Sequence, residues 1–136
     1  MNRQIVHDPL FLALKSEPAA EGDAQVIADL LDTLKANLDR CVGMAANMIG
    51  VRKRIIVFCN GPMQMVMVNP QIVSAAGPYE AEEGCLSLPG VRKAKRYQKI
   101  TVKYLDRAFR QQTGTFEGFT AQIIQHEMDH CDGILI

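Results

Sequence analysis

The pentapeptide His126-Glu127-Met128-Asp129-His130 constrains the fold of this chain more than any other part of its sequence. Side chains four residues apart lie one above the other on a helix, so both imidazoles can reach one cation if this segment is helical. The segment from about Thr120 to Cys131 is apolar on more than one side, which predicts a buried helix. Two histidines and a glutamate without a ligand would be costly there, so the pattern predicts a metal site. Met128 and Asp129 face other directions and are given no role.

The glutamate beside the first histidine indicates hydrolytic chemistry. A divalent ion lowers the pKa of a bound water from about 15.7 towards roughly 7, which produces a nucleophile at neutral pH. Glu127 lies close enough in sequence to take the proton of that water and to pass it to a leaving group. The motif therefore predicts a metal-dependent hydrolase.

The remainder of the chain predicts one further helix and several strands. Apolar residues three and four apart indicate a helix from about Ala24 to Arg40, with Asp23 as its N-cap. Asn69-Pro70 is expected to end the second of five strands. The strands are predicted at Arg54–Cys59, Gln64–Val68, Ile72–Ala76, Lys99–Leu105 and Thr113–Phe116. The order helix, strands, helix predicts an α+β fold with an antiparallel or mixed sheet, in one domain that spans residues 1–136.

Composition and charge exclude several classes of protein. Fifteen basic residues balance 15 acidic ones, so the net charge is zero and no nucleic-acid or membrane-surface footprint is visible. No signal peptide and no apolar run long enough to cross a membrane are recognisable, which makes the cytoplasm the expected location. The one basic cluster comprises Arg92, Lys93, Lys95 and Arg96. It is interpreted first as a solvated loop, with binding of an anionic group of a substrate or partner as the alternative.

A catalytic metal centre with two histidines needs a third protein ligand. Only six residues follow His130 and none is histidine or glutamate, so the third ligand is expected upstream. Thiolates bind such metals strongly, and the four cysteines lack the short paired spacing of a disulfide framework. Cys85 is favoured because a glycine precedes it and the Pro89-Gly90 turn follows. The residues alone leave the other cysteines open: Cys41, Cys59 and Cys131.

Three segments, taken together, resemble the peptide deformylases. They are GMAANMIG at Gly43–Gly50, EGCLS at Glu83–Ser87 and QHEMDH at Gln125–His130, and they occur in the same order. The resemblance implies antiparallel β-sheets around a central C-terminal helix that carries the HExxH motif. It also implies removal of the formyl group from the N-terminal formyl-methionine of new polypeptides. N-formyl-methionyl nascent peptides would be the partners, and whether they are met at the ribosome stays open.

The resemblance also implies roles for individual residues. One divalent ion, expected to be Fe²⁺ with Zn²⁺, Ni²⁺ or Co²⁺ as alternatives, would be held by Cys85, His126 and His130. Glu127 would be the general base, and the backbone N–H of Leu86 would stabilise the developing oxyanion. The substrate would be bordered by Gly43 and Met44, and its methionine side chain would lie among Phe119, Gln122 and Ile123.

Met48 is the main departure from the family pattern, because it stands where the family has a glutamine that donates to the reacting oxygen. A thioether cannot donate a hydrogen bond, and loss of one such donor costs roughly 10²–10³ in rate. Asn47 could substitute only if its amide turned inward. An active deformylase is the first interpretation. The alternatives are a weakly active metal-binding relative and a metal-dependent hydrolase of another acyl or peptide substrate. A monomer is the default expectation.

Overall fold

A computed structural model describes all 136 residues and contains a five-stranded antiparallel sheet with strand order β1-β2-β3-β4-β5. The helices are α1 (Pro9–Leu12), α2 (Ala24–Ala36) and α3 (Gly118–Cys131), and short 3-10 helices cover Glu21–Asp23 and Ala46–Ile49. The strands are β1 (Gly43–Ala45), β2 (Ile55–Asn60), β3 (Met63–Gly84), β4 (Val91–Leu105) and β5 (Gln111–Glu117). The predicted α+β class, with an N-terminal helix and a C-terminal helix that carries HExxH, is confirmed. No helix has the length and apolar character needed to cross a membrane.

Strand β2 lies between two apolar cores, which explains its continuous apolar sequence. Ile55 and Val57 pack with α2 on one face of the sheet. Ile56 and Phe58 pack with α3 on the other. A strand buried on both faces has no need of polar residues at alternate positions. The sheet is thus covered by α2 on one side and by α3 on the other, and this holds α3 firmly against β1 and β2.

Helix α2 is shorter than predicted at one end and capped differently at the other. It ends at Ala36 rather than Arg40, and the Asn37 amide then donates to the carbonyl oxygen of Thr33 at 2.7 Å. Asp23 is the N-cap residue of α2, as predicted, but its carboxylate does not accept from the first helix amides. Its carboxylate instead accepts from the backbone N–H of Ala20 at 2.8 Å, outside the helix.

The β3–β4 hairpin is longer and more continuous than the sequence predicts. The prediction that Asn69-Pro70 ends a strand is wrong, because the pair lies within a bulge of β3. At this bulge Asn69 adopts a positive φ of 51°, and the pairing register with β4 shifts between Val68 and Gln71. Proline is tolerated at such a bulge because its missing N–H is not needed for pairing. The basic cluster around Arg92 also lies within β4 rather than in a loop. The short connection of residues 85–90 joins the two strands and faces α3.

Candidate metal centre and substrate cavity

Three possible metal ligands converge where the β3–β4 connection meets α3. The Sγ of Cys85 lies 3.3 Å from Nε2 of His130, and the two histidine Nε2 atoms are 3.1 Å apart. All three donor atoms, including that of His126, lie within 4.8 Å of one another. One thiolate and two imidazoles suit a divalent transition ion, so these residues fit the implied metal. The other three cysteines do not belong to this group.

His126 is oriented by a buried carboxylate that the sequence analysis did not single out. Its Nδ1 lies 2.8 Å from Oε1 of Glu83. Burial works against the charge of this carboxyl, but hydrogen bonds from His126 and Arg96 hold its pKa down at about 2. A carboxylate behind a ligating histidine fixes the ring and its tautomer. The only sequence signal for Glu83 was its place in the EGCLS segment.

Arg96 connects this carboxylate to the far side of the helix. Its Nε and Nη2 donate to the two oxygens of Glu83 at 2.9 and 2.7 Å, and its Nη1 donates to Oδ2 of Asp129 at 2.7 Å. The guanidinium is almost fully buried. Asp129 therefore has a role, contrary to the prediction, because it neutralises part of this buried charge. Of the basic cluster, Arg96 does bind anionic groups, but they belong to the protein itself.

Gln122 belongs to the same network. Its Nε2 donates to Oε2 of Glu83 at 3.0 Å, and its Oε1 accepts from the hydroxyl of Tyr79 at 3.1 Å. Tyr79 lies on β3, so the chain Tyr79–Gln122–Glu83–His126 ties the long hairpin to α3. Gln122 also lines the cavity described below, as expected for a residue near the substrate.

Glu127 lies beside the ligands in an unusual environment for a carboxyl group. It is 4% exposed, and its Oε1 has no hydrogen-bond partner. Burial raises its pKa to about 7. Gly43 on β1 leaves the space that this side chain uses, since a Cβ there would lie 2.9 Å from Oε2 of Glu127. A buried, unpaired carboxyl at this position suits proton transfer.

A cavity of about 240 Å³ opens over these residues. The cavity is lined by most of the residues that were predicted to bind the substrate or to stabilise the oxyanion. They are Gly43, Met48, Leu86, Phe119, Gln122 and Ile123. Met44 does not, because its side chain is fully buried in the core beside α2. The cavity wall also includes Arg40 and Val42, which the sequence analysis had not assigned to a site, and Cys41, which it had left open as a metal ligand.

Met48 and Asn47 face different sides of the 3-10 helix that follows β1. The buried Met48 lines the cavity, and its sulfur lies 3.5 Å from the backbone N–H of Ala45. The amide of Asn47 points away and donates to the carbonyl oxygen of His130 at 2.9 Å. Asn47 is therefore engaged with the back of α3 and does not replace the missing glutamine.

Comparison with known proteins identifies the family. The polypeptide deformylase family model matches residues 4–136. This chain belongs to the polypeptide deformylase family. It is 60% identical to a peptide deformylase of Clostridium beijerinckii over the full length of both chains. It is 41% identical to peptide deformylase 2 of Clostridium acetobutylicum, over 91% of this chain and 85% of that one.

Solved structures of the family share the fold. A peptide deformylase from Legionella pneumophila superposes with a TM-score of 0.88 at 40% identity, over 99% of this chain and 83% of that one. A Met-Ala-Ser-bound peptide deformylase from Acinetobacter baumannii gives a TM-score of 0.86 at 32% identity, over 99% and 97% of the two chains. The chain is accordingly an enzyme of a metal-dependent hydrolase family, as the sequence predicted.

Proposed function

We propose that this enzyme removes the N-formyl group from formyl-methionyl peptides of newly made proteins. The observation that carries the proposal is the buried, unpaired carboxyl of Glu127 beside three converging ligand atoms at the base of the cavity. The name and the 60% identity of the Clostridium beijerinckii relative support the same reaction.

Cys85, His126 and His130 would hold one divalent ion, with Fe²⁺ expected and Zn²⁺, Ni²⁺ or Co²⁺ as alternatives. Such an ion, when bound, supplies Lewis-acid chemistry that polarises the formyl carbonyl and lowers the pKa of water. Glu83 keeps the ring of His126 turned towards this site. The backbone N–H of Ser87 lies 3.4 Å from the Cys85 sulfur and helps to orient it.

Glu127 moves the proton in this scheme. Its free Oε1 takes a proton from the attacking water and then delivers it to the nitrogen of the departing methionine. The backbone N–H of Leu86, for which the structure provides no acceptor, donates to the oxygen of the formyl group as negative charge develops there. Glu127 lies on α3 and Leu86 in the β3–β4 connection, so the two elements that meet at the metal site supply one group each.

The cavity walls suit a methionine side chain. Phe119 and Ile123 provide apolar surface, and the absent side chain of Gly43 leaves room for the substrate backbone beside Glu127. Gln122 closes the polar side of the cavity through its bond to Glu83. Met44 packs in the core beside α2 and is not part of the proposed substrate site.

The test is anaerobic turnover of formyl-Met-Ala-Ser by iron-loaded protein, followed by mass spectrometry. We expect loss of the formyl mass, and we expect Glu127→Ala to abolish it while keeping the metal. Intact formyl peptide after incubation with protein that holds one ion per chain would contradict the proposal.

The absence of a donor on Met48 favours one second candidate, a deformylase-like protein that binds formyl-methionyl peptides with little turnover. Tight binding of the formyl peptide without loss of formyl would support it. A parallel screen with acetyl-methionyl peptides distinguishes these two candidates from a hydrolase that removes another acyl group. A deformylase should act on the formyl peptide in preference to the acetyl peptide.

A further inference from the structure

Arg40 borders three adjoining hollows at the opening of the metal-site cavity. It lines that cavity itself, a second hollow along residues 84–90 and a third beside Gln4 and Ile5. Leu86 also lines all three, and His7 lines the second and third. Because the hollows share these walls, they form one groove that leads from the site across the surface. We call it the exit groove.

A formyl-methionyl peptide has to leave the cavity through an open side. Its formyl end and methionine side chain occupy the base, so the residues that follow must pass over the rim. The exit groove offers a path with exposed backbone at Gly84 and at Pro89-Gly90. Arg40 stands at the start of this path.

The charge of the exit groove is one-sided. Outside the main cavity its lining includes Arg40 and His7 but no carboxylate. Of the acidic residues of the main cavity, Glu83 is paired with Arg96 and Glu127 lies at the base. The exposed Glu82 also lines that cavity, but it forms no salt bridge with Arg40 and does not line the other two hollows. A peptide that follows this path therefore meets a positive charge.

The guanidinium of Arg40 is held in place but not neutralised. Its Nε and Nη2 donate to Oδ1 of Asn37 at 3.2 and 2.8 Å, and the Asn37 amide is itself bonded to α2. No carboxylate pairs with Arg40, whereas Arg3, Arg54 and Arg96 each form a salt bridge. An exposed, oriented guanidinium without an anion is suited to bind a carboxylate that arrives with the substrate.

We propose that Arg40 makes this enzyme prefer formyl-methionyl peptides that carry aspartate or glutamate at the second or third position. The inference rests on the proposed deformylase function. An exposed ion pair of this kind changes kcat/KM by about two- to fivefold at low ionic strength. The effect belongs to KM rather than kcat, because the charged side chain is remote from the formyl carbon. Added salt weakens it.

The test compares C-terminally amidated peptides, so that no terminal carboxylate competes. Metal-loaded wild-type enzyme, Arg40→Gln and Arg40→Glu are assayed with formyl-Met-Ala-Asp, formyl-Met-Ala-Lys and formyl-Met-Asp-Ser amides. We expect the wild type to favour aspartate over lysine, Arg40→Gln to lose the preference and Arg40→Glu to reverse it. Arg107→Gln is the matched control, because Arg107 is exposed in the turn between β4 and β5 and pairs with no carboxylate. Arg107→Gln should keep the wild-type ratio of kcat/KM between the aspartate and lysine peptides.

Equal kcat/KM values for the wild type, or a preference that survives Arg40→Gln, would overturn the inference. If the wild type deformylates none of the peptides, the proposed function fails separately. The preference for aspartate over lysine is then measured by binding, from the dissociation constants of the unformylated Met-Ala-Asp and Met-Ala-Lys amides. A wild-type preference that Arg40→Gln removes supports the role of Arg40, and equal constants reject it.

Discussion

Met48 sits in the cavity wall with its sulfur near a backbone N–H, where it can accept a hydrogen bond but not donate one. In the proposed mechanism the reacting oxygen is then left with the Leu86 N–H as its donor from the protein. Since loss of one donor costs roughly 10²–10³ in rate, we expect Met48→Gln to raise kcat about tenfold or more. The measurement is the initial rate on formyl-Met-Ala-Ser at matched metal content.

Met48→Leu is the control for this substitution, because leucine fills a similar volume and also lacks a donor. It should behave like the wild type. A glutamine variant no faster than the leucine variant would show that Met48 does not limit the reaction.

Glu83 acts on the metal site through the histidine that it orients. It holds His126 through Nδ1, and such partners typically contribute 10- to 100-fold to metal affinity. We therefore expect Glu83→Gln to weaken metal binding by about that factor. Competition with a coloured chelator measures it. Glu82→Gln, at the exposed neighbouring position, should bind metal as the wild type does.

At the scale of elements, the contact between β1 and α3 depends on Gly43. A Cβ at this position would lie 2.8 Å from Cγ2 of Ile123 and 2.9 Å from Oε2 of Glu127. Gly43→Ala must therefore push the helix or its glutamate aside. We expect a loss of about 1–3 kcal/mol in the free energy of unfolding, together with lower kcat. Urea denaturation and peptide turnover measure the two effects.

Gly22→Ala is the matched control for Gly43→Ala. Nothing lies within 4 Å of a Cβ built at Gly22, and its φ is not positive. Stability and turnover should both stay near those of the wild type. A neutral effect of Gly43→Ala would mean that β1 and α3 separate easily.

The turn between β4 and β5 depends on Asp106. Hydrogen bonds from the backbone N–H groups of Arg110 and Ala108 and from the Gln112 side chain lower its pKa. The ionised carboxylate therefore stabilises the fold above its ordinary value of about 3.9, and this is lost as pH falls through the lowered pKa. We expect Asp106→Asn to lower Tm at pH 7, with a smaller difference from wild type below about pH 3. Calorimetry across this pH range measures the Tm difference between the variant and the wild type. A difference that does not change with pH would show that the charge of Asp106 is not what stabilises the turn.

For the molecule as a whole, a bound metal should act as a link between the β3–β4 connection and α3. Anything that binds only the folded state stabilises it, by about 2.7 kcal/mol when free metal is 100 times its dissociation constant. We expect Tm to rise with added Ni²⁺ and to fall after chelation. Cys85→Ala should reduce this response sharply, whereas Cys59→Ala should retain it because Cys59 lies outside the ligand group. A response that survives Cys85→Ala would place the metal elsewhere.

Local patterns in the sequence were enough to predict the elements whose side chains repeat at short spacing. The four-residue step from His126 to His130 requires a helix, and the continuous apolar run of β2 requires a buried strand. The local sequence around Cys85 favoured it as the third ligand but left the other cysteines open, and the family resemblance then singled it out. The α+β fold follows from the order of these segments and was predicted correctly.

Tertiary structure alone decided which distant residues meet. Glu83, Arg96 and Asp129 come from three elements, and no local pattern records that the guanidinium of Arg96 is buried between the two carboxylates. The bulge at Asn69 and the orientation of the Asn47 amide towards His130 also depend on contacts with other parts of the chain. Periodicity reports the face of an element that is buried, because burial repeats with the helix or strand. It carries no record of the partner across the interface, because that partner is set by how the elements pack.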